Sequence, residues 1–247
     1  MTKYVLFDTE TTGNQDEDRI IQVGAMVVDA KGNVEVYDEL CSSDVPIKVE
    51  AMEVHNITPE VIEGKPPFKE TRFWSDLERL NQEENYLIAH NIKFDLGMLK
   101  KEGFENRMKL IDTFRCAMHL FPESDYHRLQ YFRYSLGLYK KEQEEAKKHN
   151  ITIKAHDAIG DVLVMKLFLS ELVAKVKEQY AGVNPMVKLE ELTQTPVMIQ
   201  NFKFGKYKGE RIDDIARSDA GYLRWMLKSL ELDEDLKYTL ERVLENV

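Results

Sequence analysis

The segment from Tyr4 to Gly13, YVLFDTETTG, limits most strongly how this chain can fold. Its first four residues, Tyr4 to Phe7, are large and apolar or aromatic, which predicts a β-strand buried on both faces. Asp8 and Glu10 follow, and the strand period of two places both carboxylates on one face. Two carboxylates this close repel each other, and burial makes the repulsion worse. A divalent cation such as Mg²⁺ or Mn²⁺, which prefers oxygen ligands, would remove that penalty.

The polar residues Thr11, Thr12 and Gly13 end this strand. Their hydroxyls and backbone N–H groups are available to whatever a bound cation holds. A D-x-E pair by itself is more often a solvated strand end than a site. The metal-site hypothesis therefore depends on further acids later in the chain.

Length and composition limit the class of protein. A chain of 247 residues, 43% hydrophobic and 32% charged, fits one large globular domain, alone or with a small companion. The two cysteines, Cys41 and Cys116, form no C-x-x-C pair, which disfavours a disulfide scaffold or a zinc site. No signal peptide or membrane span is predicted, so we expect a cytoplasmic protein with no membrane partner. The net charge of −10 argues against a protein that coats nucleic acid, but not against an enzyme that contacts a few nucleotides through metals.

A third acid follows a second apolar run. Residues 86–89 (YLIA) predict a strand that ends at His90 and Asn91, and residues 92–101 predict a helix. Asp95 then lies in the first turn of a helix that begins where a strand ends. This is where a ligand can meet the acids of the first strand.

A fourth acid lies on the longest predicted helix, residues 155–179, which carries a broad apolar stripe. His156 and Asp161 are five residues apart, which on a helix is about 140° of rotation at roughly 100° per residue. The two side chains could not share a helix face. We therefore expect Asp161 inside the helix and His156 before it or in a loose first turn.

The remaining segments predict the domain organisation. Residues 19–29 and 33–40 predict two further strands, and residues 109–111 predict a fifth strand that leads into a helix capped at Asp112 and Thr113. We expect a first domain over residues 1–180 and a linker over 181–200, where Gly182, Pro185 and Pro196 occur. Residues 201–247 predict a small unit made of a hairpin and two amphipathic helices.

Three motifs in this order, FDTETTG, HNIKFD and HDAIGD, resemble those of the DnaQ-like 3′→5′ exonucleases of the DEDDh subgroup. The D-x-E motif matches Asp8 and Glu10, the middle acid matches Asp95, and H-x₄-D matches His156 and Asp161. The resemblance implies an α/β fold of the ribonuclease H-like class. Its mixed five-stranded sheet is flanked by helices, and here a small C-terminal α+β unit would be added.

The resemblance also implies a chemistry. Asp8, Glu10, Asp95 and Asp161 would bind two divalent metal ions, Mg²⁺ or Mn²⁺, which can stabilise the attacking and leaving oxygens of a phosphodiester together. His156, with an ordinary pKa of about 6.5, would accept the proton of the attacking water. The expected enzyme hydrolyses DNA from 3′ ends, as a single strand or a frayed duplex, and releases nucleoside 5′-monophosphates.

Substrate-binding residues are expected around these motifs. By the same resemblance, Thr9, Thr11, Thr12, Gly13 and Phe94 would line the pocket for the terminal nucleotide. His90 and Asn91 either cap the helix or contact the nucleotide, and the sequence favours neither. Asp157 is interpreted as an acid that complements the helix dipole, and His55 as an ordinary surface or core residue.

The C-terminal segments FGKYKG and YLRWML resemble the region appended to the nuclease domain of exodeoxyribonuclease X-like proteins. Lysines alternate there with aromatic residues, a pattern that can hold phosphates and stack bases. The alternative is a hairpin with aromatic residues in the core and lysines in water. The residues concerned are Phe202, Lys203, Phe204, Lys206, Tyr207, Lys208 and Arg211.

Other functions remain open at the level of sequence. They are an exoribonuclease of the RNase T or oligoribonuclease kind, a proofreading subunit of a polymerase, and a nucleic-acid-binding module without turnover. The complete set of motif acids disfavours the last. A role in DNA repair is expected, and the sequence does not determine whether the protein forms a homodimer.

Overall fold

The computed structural model describes residues 1–153 and 157–247. These residues divide into two compact units, Met1–Thr193 and Gln194–Val247. The predicted proton acceptor, His156, lies outside the described residues.

A five-stranded sheet forms the centre of the first unit. Its strands are β1 (Lys3–Thr11), β2 (Ile20–Asp29), β3 (Val34–Leu40), β4 (Tyr86–Ala89) and β5 (Lys109–Asp112). Their order across the sheet is β3-β2-β1-β4-β5. Strand β1 pairs antiparallel with β2 and parallel with β4, so the strand that carries Asp8 and Glu10 is the middle one. The predicted mixed five-stranded sheet is confirmed.

Helices cover both faces of this sheet. In the first unit they are α1 (Val49–His55), α2 (Pro59–Ile62), α3 (Arg72–Leu80), α4 (Ile92–Lys101), α5 (Thr113–Leu120), α6 (Leu129–Ser135), α7 (Tyr139–Lys148), α8 (Ala158–Gln179) and α9 (Pro185–Gln194), with a 3₁₀ turn at Phe68–Glu70. The second unit contains α10 (Ile212–Ser218), α11 (Ala220–Ser229) and α12 (Glu234–Glu245). No helix within the described ranges has the length and apolar character needed to span a bilayer.

Alternate side chains of β1 enter two separate cores. Leu6 packs on the face covered by α8, in a cluster that includes Phe168. Val5 and Phe7 pack on the opposite face, against Phe73 of α3 and other apolar side chains. Both faces of the strand are therefore buried, which is why its apolar run is continuous instead of alternating.

The expectation of a linker over residues 181–200 differs from the structure. Residues Pro185–Gln194 form helix α9, and its Leu189 and Leu192 are buried in the core that contains α8. The hydroxyl of Thr193 accepts a hydrogen bond from the backbone N–H of Asp112 (2.9 Å), at the end of β5. Half of the predicted linker is thus a helix packed on the first unit.

The second unit has three helices instead of the expected two, and it has no regular hairpin within residues 194–247. A single antiparallel bridge, Asn201 with Arg211, closes a loop of turns. Gly205 and Gly209 adopt positive φ angles of 78° and 92° in this loop. Its ends are also joined by hydrogen bonds between the backbones of Phe202 and Glu210 (3.0 Å) and of Gly209 and Phe202 (2.8 Å). The loop between Asn201 and Arg211 is therefore folded by tight turns and not by paired strands.

Candidate active site

Three elements carry the acids predicted from the motifs. Asp8 and Glu10 alternate with the buried Thr9 on β1, so they lie on the same face of the sheet as Leu6, the face that α8 covers. Asp161 lies in the first turn of α8, and Asp95 in the first turn of α4. The hydroxyl of Thr9 donates a hydrogen bond of 2.7 Å to Oδ1 of Asp95, which joins α4 to the end of β1.

Gly24 explains how helix α8 comes close to the acids of β1. It pairs directly with Asp8 in the register of β1 and β2. A Cβ at this position would lie 2.3 Å from the carbonyl carbon of Ala158 and 2.3 Å from the backbone nitrogen of Ile159. Any larger residue would therefore displace the first turn of α8. Since this turn contains Asp161, a glycine in β2 sets the distance between the acids.

The acids act on one another electrostatically. Burial raises the pKa of Asp8 well above its usual value, and the charges of Asp95, Glu10 and Asp161 raise it further. Burial, followed by the charges of Asp161, Asp95 and Asp157, raises the pKa of Glu10 to about 8. Burial also raises the pKa of Asp95 to about 7, against the opposing effect of the Thr9 hydrogen bond. Because Asp95 and Asp161 act on both Asp8 and Glu10, the four motif acids lie within electrostatic range of one another.

The donor set fits a hard divalent cation better than any other group. Carboxylate oxygens are the ligands that Mg²⁺ and Mn²⁺ prefer. Two of these carboxylates are oriented by neutral donors: the hydroxyl of Thr9 donates to Asp95, and the Gln130 amide donates to Asp161 (2.6 Å). In the two described ranges, no three His, Cys, Asp or Glu side chains are placed to hold a metal ion as they stand.

A cleft of about 580 Å³ opens beside Glu10. It is lined by Thr9, Glu10, Thr11, Gly13, Asn14, Gln15, Lys48, Glu50, Ala51, Val54, His55 and Phe94. Four of the predicted substrate-binding residues, Thr9, Thr11, Gly13 and Phe94, are in this lining. The volume is in the range of small-ligand sites, and the ring of Phe94 is 38% exposed. A flat base could stack there.

Three other predicted substrate-binding residues are absent from the lining of this cleft, as far as the chain is described. Thr12 is buried, and its hydroxyl donates to Asp18 (2.9 Å) and accepts from the N–H of Arg19 (3.0 Å). Asn91 has a positive φ of 70° just before α4, and its N–H donates to the carboxylate of Asp112 (2.9 Å). The hydrogen bonds of Thr12 and Asn91 thus fix the backbone after β1 and before α4.

His90 is packed among aromatic rings. Its ring meets Phe114 and Phe168 edge-on, and its Nδ1 lies 2.9 Å from the hydroxyl of Thr113. Burial lowers the pKa of His90 to about 4, so the ring is neutral near pH 7. Of the two residues His90 and Asn91, Asn91 occupies the N-cap position of α4, without a side-chain cap hydrogen bond, and His90 precedes it. Contact of either residue with the nucleotide stays a prediction.

The sequence did not single out two residues of this cleft, His55 and Lys48. Nε2 of His55 lies 3.1 Å from the carbonyl oxygen of Thr11, and its Nδ1 accepts the N–H of Ile57 (3.0 Å). Lys48 pairs with the buried carboxylate of Asp18 at 2.7 Å. The signal available for His55 was the segment VHNITPEVI, which resembles a further segment of the DnaQ-like exonucleases.

Asp157 does more than complement a helix dipole. It is buried, and its Oδ1 accepts a hydrogen bond of 2.7 Å from the side-chain amide of Gln22 on β2. Its Oδ2 has no hydrogen-bond partner among the described residues. Gln22 pairs with Glu10 in the sheet register, and the charge of Asp157 contributes to the raised pKa of Glu10. Asp157 therefore anchors the start of α8 to β2 and adds negative charge to the site.

Comparison with known proteins gives the class. A protein-family profile described as "Exonuclease" (RNase_T) matches residues 5–168, well over half of the chain. The chain therefore belongs to this exonuclease family, and the predicted class and ribonuclease H-like fold are confirmed. A second profile, described as "Exodeoxyribonuclease X-like C-terminal", matches residues 202–231 in the second unit.

Individual relatives agree with this assignment. The chain is 29% identical over 251 residues to exodeoxyribonuclease 10 of Escherichia coli (strain K12), covering 98% of each protein. A solved structure of exonuclease X in complex with 5′-overhanging duplex DNA shares the fold, with a TM-score of 0.55 at 20% identity over 77% of this chain and 99% of that one. So does the zinc-bound form of E. coli exonuclease I with single-stranded DNA, with a TM-score of 0.52 at 18% identity over 74% of this chain and 42% of that one.

Proposed function

We propose that this chain is a metal-dependent 3′→5′ exonuclease that hydrolyses DNA from its 3′ end and releases nucleoside 5′-monophosphates. The observation that carries the proposal is that the four acids come from three separate elements and yet interact. In addition to burial, the charges of Asp95 and Asp161 raise the pKa of both Asp8 and Glu10. The similarity to exodeoxyribonuclease 10 along almost the whole chain supports DNA as the substrate.

Asp8, Glu10, Asp95 and Asp161 are the residues that would hold two divalent cations, Mg²⁺ or Mn²⁺. When bound, such ions activate a water molecule and stabilise the charge that develops on a phosphodiester. The hydroxyl of Thr9 fixes one oxygen of Asp95, and the amide of Gln130 fixes one oxygen of Asp161. On the resemblance of its motif, His156 is the proposed acceptor of the proton of the attacking water.

The cleft beside Glu10 is the proposed site of the terminal nucleotide. Phe94 offers an exposed ring face for its base, and Thr11 and Gly13 lie at the end of β1 where the sugar and phosphate would meet the acids. The family match and the similarity to exodeoxyribonuclease 10 support an exonuclease and not an endonuclease.

The test is a 5′-labelled DNA strand incubated with the purified protein. With Mg²⁺ we expect products shortened one nucleotide at a time from the 3′ end, and with EDTA we expect none. Asp8→Asn should abolish turnover while the circular dichroism spectrum is retained, and Asp44→Asn, at an exposed acid, is the matched control. Full activity of Asp8→Asn would remove this region as the active site.

A matched RNA strand in the same assay distinguishes the exoribonuclease alternative, because the 2′-hydroxyl is the group that a pocket uses to separate RNA from DNA. Faster cleavage of RNA would transfer the proposal to that class. Roles in DNA repair or proofreading and a cytoplasmic location remain predictions from the sequence.

A further inference from the structure

The second unit carries aromatic side chains that its own core does not fully bury. Phe202 is 3% exposed and belongs to the core of the unit, as the hairpin alternative predicted for the aromatic residues. Phe204 and Trp225, in contrast, are 46% and 50% exposed. Burying the aromatic residues of FGKYKG therefore explains only part of the motif.

Trp225 continues into a connected series of rings whose other members, Tyr207 and Tyr222, are partly buried against the core of the unit. Tyr207 meets Tyr222 at 5.1 Å between ring centroids, and Tyr222 meets Trp225 at 5.6 Å. Gly205, with a φ of 78°, lies so close that a Cβ there would be 2.8 Å from the hydroxyl of Tyr222. The turn that presents Phe204 is thus folded against the series. We call Phe204, Tyr207, Tyr222 and Trp225 the aromatic strip.

Positive charge accompanies the aromatic strip. The ammonium group of Lys206 lies 4.5 Å from the ring centroid of Tyr207 and 3.2 Å from the carboxylate of Asp219. That carboxylate also accepts a hydrogen bond of 2.6 Å from the hydroxyl of Tyr207, so its charge is largely compensated. Lys203 and Lys208 on the same loop are exposed. Arg211, in contrast, pairs with Asp213 at 3.7 Å.

We infer that the aromatic strip with Lys203 and Lys208 is a binding site for single-stranded DNA. Bases stack on exposed rings with little regard to sequence, and lysines beside the rings hold the phosphates. A base-paired strand has no free base faces to offer, so the site should prefer single strands. The inference rests on the proposed function in one respect, that the natural ligand is a DNA strand.

The distribution of tryptophan makes the site directly observable. The chain has two tryptophans. Trp74 is 7% exposed and packs edge-on against Phe68 and Phe104 in the first unit, whereas Trp225 is 50% exposed. A base that stacks on Trp225 will quench its fluorescence, while Trp74 is shielded.

The experiment titrates the full-length protein with oligo(dT) in EDTA, where no turnover occurs, and records tryptophan fluorescence and affinity. We expect quenching that persists in Trp74→Phe and is lost in Trp225→Ala. Trp225→Ala should weaken binding about 10-fold, as for other stacking aromatic residues, and Trp225→Tyr should restore it because a ring is retained. Duplex DNA of equal length should bind more weakly.

The charge contribution has its own measurement. The double variant Lys203→Ala/Lys208→Ala should reduce the salt dependence of log affinity by about 1.4, since each phosphate contact to a single strand contributes about 0.7. Lys237→Ala, at an exposed lysine of α12, is the matched control and should change nothing.

Unchanged affinity and salt dependence in both the Trp225 and the double lysine variants would overturn the inference. So would a Trp225→Ala protein that binds DNA normally but sediments as a smaller species, because the aromatic strip would then be a contact between copies of the chain. Nuclease activity measured separately with Mg²⁺ keeps the two proposals apart. An active nuclease without quenching refutes only this site, and quenching without nuclease activity refutes only the proposed function.

Discussion

Glu10→Gln is expected to stabilise the metal-free protein, although it removes a residue of the active site. The pKa of Glu10 rises from its ordinary 4.5 to about 8 because the side chain is partly removed from water and lies near the charges of Asp161, Asp95 and Asp157. Folding therefore favours the protonated form, and ionisation at higher pH works against the folded state. A glutamine keeps the shape and carries no charge.

The magnitude follows from the pKa difference. At about 1.4 kcal/mol per pH unit, a carboxyl that shifts from 4.5 to about 8 loses at most about 5 kcal/mol of stability once it is ionised in both states. Glu10 is only half-buried, and solvent screening together with the buried polar amide of the variant reduces the recoverable part to about 2 kcal/mol. For a domain of this size that corresponds to a rise in Tm of roughly 4–8 °C.

The pH dependence distinguishes the electrostatic effect of the Glu10 charge from other effects of the substitution. At pH 4 the carboxyl is protonated in both the folded and the unfolded state, and the variant should gain nothing. Between pH 4.5 and 8 the unfolded chain releases the proton first, so the wild-type protein loses stability and the advantage of Glu10→Gln grows. Mg²⁺ should stabilise the wild-type protein more than the variant, because the cation offsets the same charge.

The assay is thermal unfolding followed by circular dichroism at pH 4, 6 and 8, in EDTA and in Mg²⁺. Glu83→Gln, at an exposed acid on the loop after α3, is the control and should melt like the wild type under every condition. A Glu10→Gln protein that melts with the wild type in EDTA at pH 8, or that gains equally at pH 4, would contradict the electrostatic reasoning.

Three further outcomes are expected. Gly24→Ala should sharply lower nuclease activity and shift metal affinity, because its Cβ would meet the backbone of α8 at 2.3 Å. Titration with Mn²⁺ measures the metal affinity. An unaltered affinity would contradict the role of Gly24 in positioning α8. Cys41 and Cys116 are buried with pKa values raised to about 12 by burial, so a thiol reagent should label neither in the native protein, as mass spectrometry can check. Glu142→Gln should lower the free energy of unfolding by about 2–4 kcal/mol in a denaturant titration, since Glu142 is buried in a two-bond pair with Arg133 at 2.6 Å.

The sequence was sufficient for the parts of the site that depend on local order. Strand period placed Asp8 and Glu10 on one face, and a helix that begins after a strand placed Asp95 in its first turn. Asp161 likewise lies in the first turn of α8. Each of these positions is determined by residues within a few places along the chain, which is the range over which periodicity and helix-start signals act.

Positions that depend on distant partners were not available from sequence. His90 is held by Thr113 and Phe168, which follow it by 23 and 78 residues, and no local pattern encodes that packing. The prediction of a linker over residues 181–200 differs from the structure for another reason. Pro185 is a helix breaker inside a helix but is tolerated in a first turn, where the N–H it lacks would have no partner. It begins α9, and Leu189 then supplies the buried contact.

The central position of β1 in the sheet has a consequence for thermal inactivation of the enzyme. Its backbone pairs with β2 along its length and with β4 over residues 4–6, whereas β3 and β5 lie at the margins of the sheet. Amide protons of β1 should accordingly exchange with solvent only when the first unit opens completely, while those at the margins exchange through smaller openings. Fraying of the outer strands then leaves Asp8 and Glu10 in place, so inactivation and global melting should occur at the same temperature.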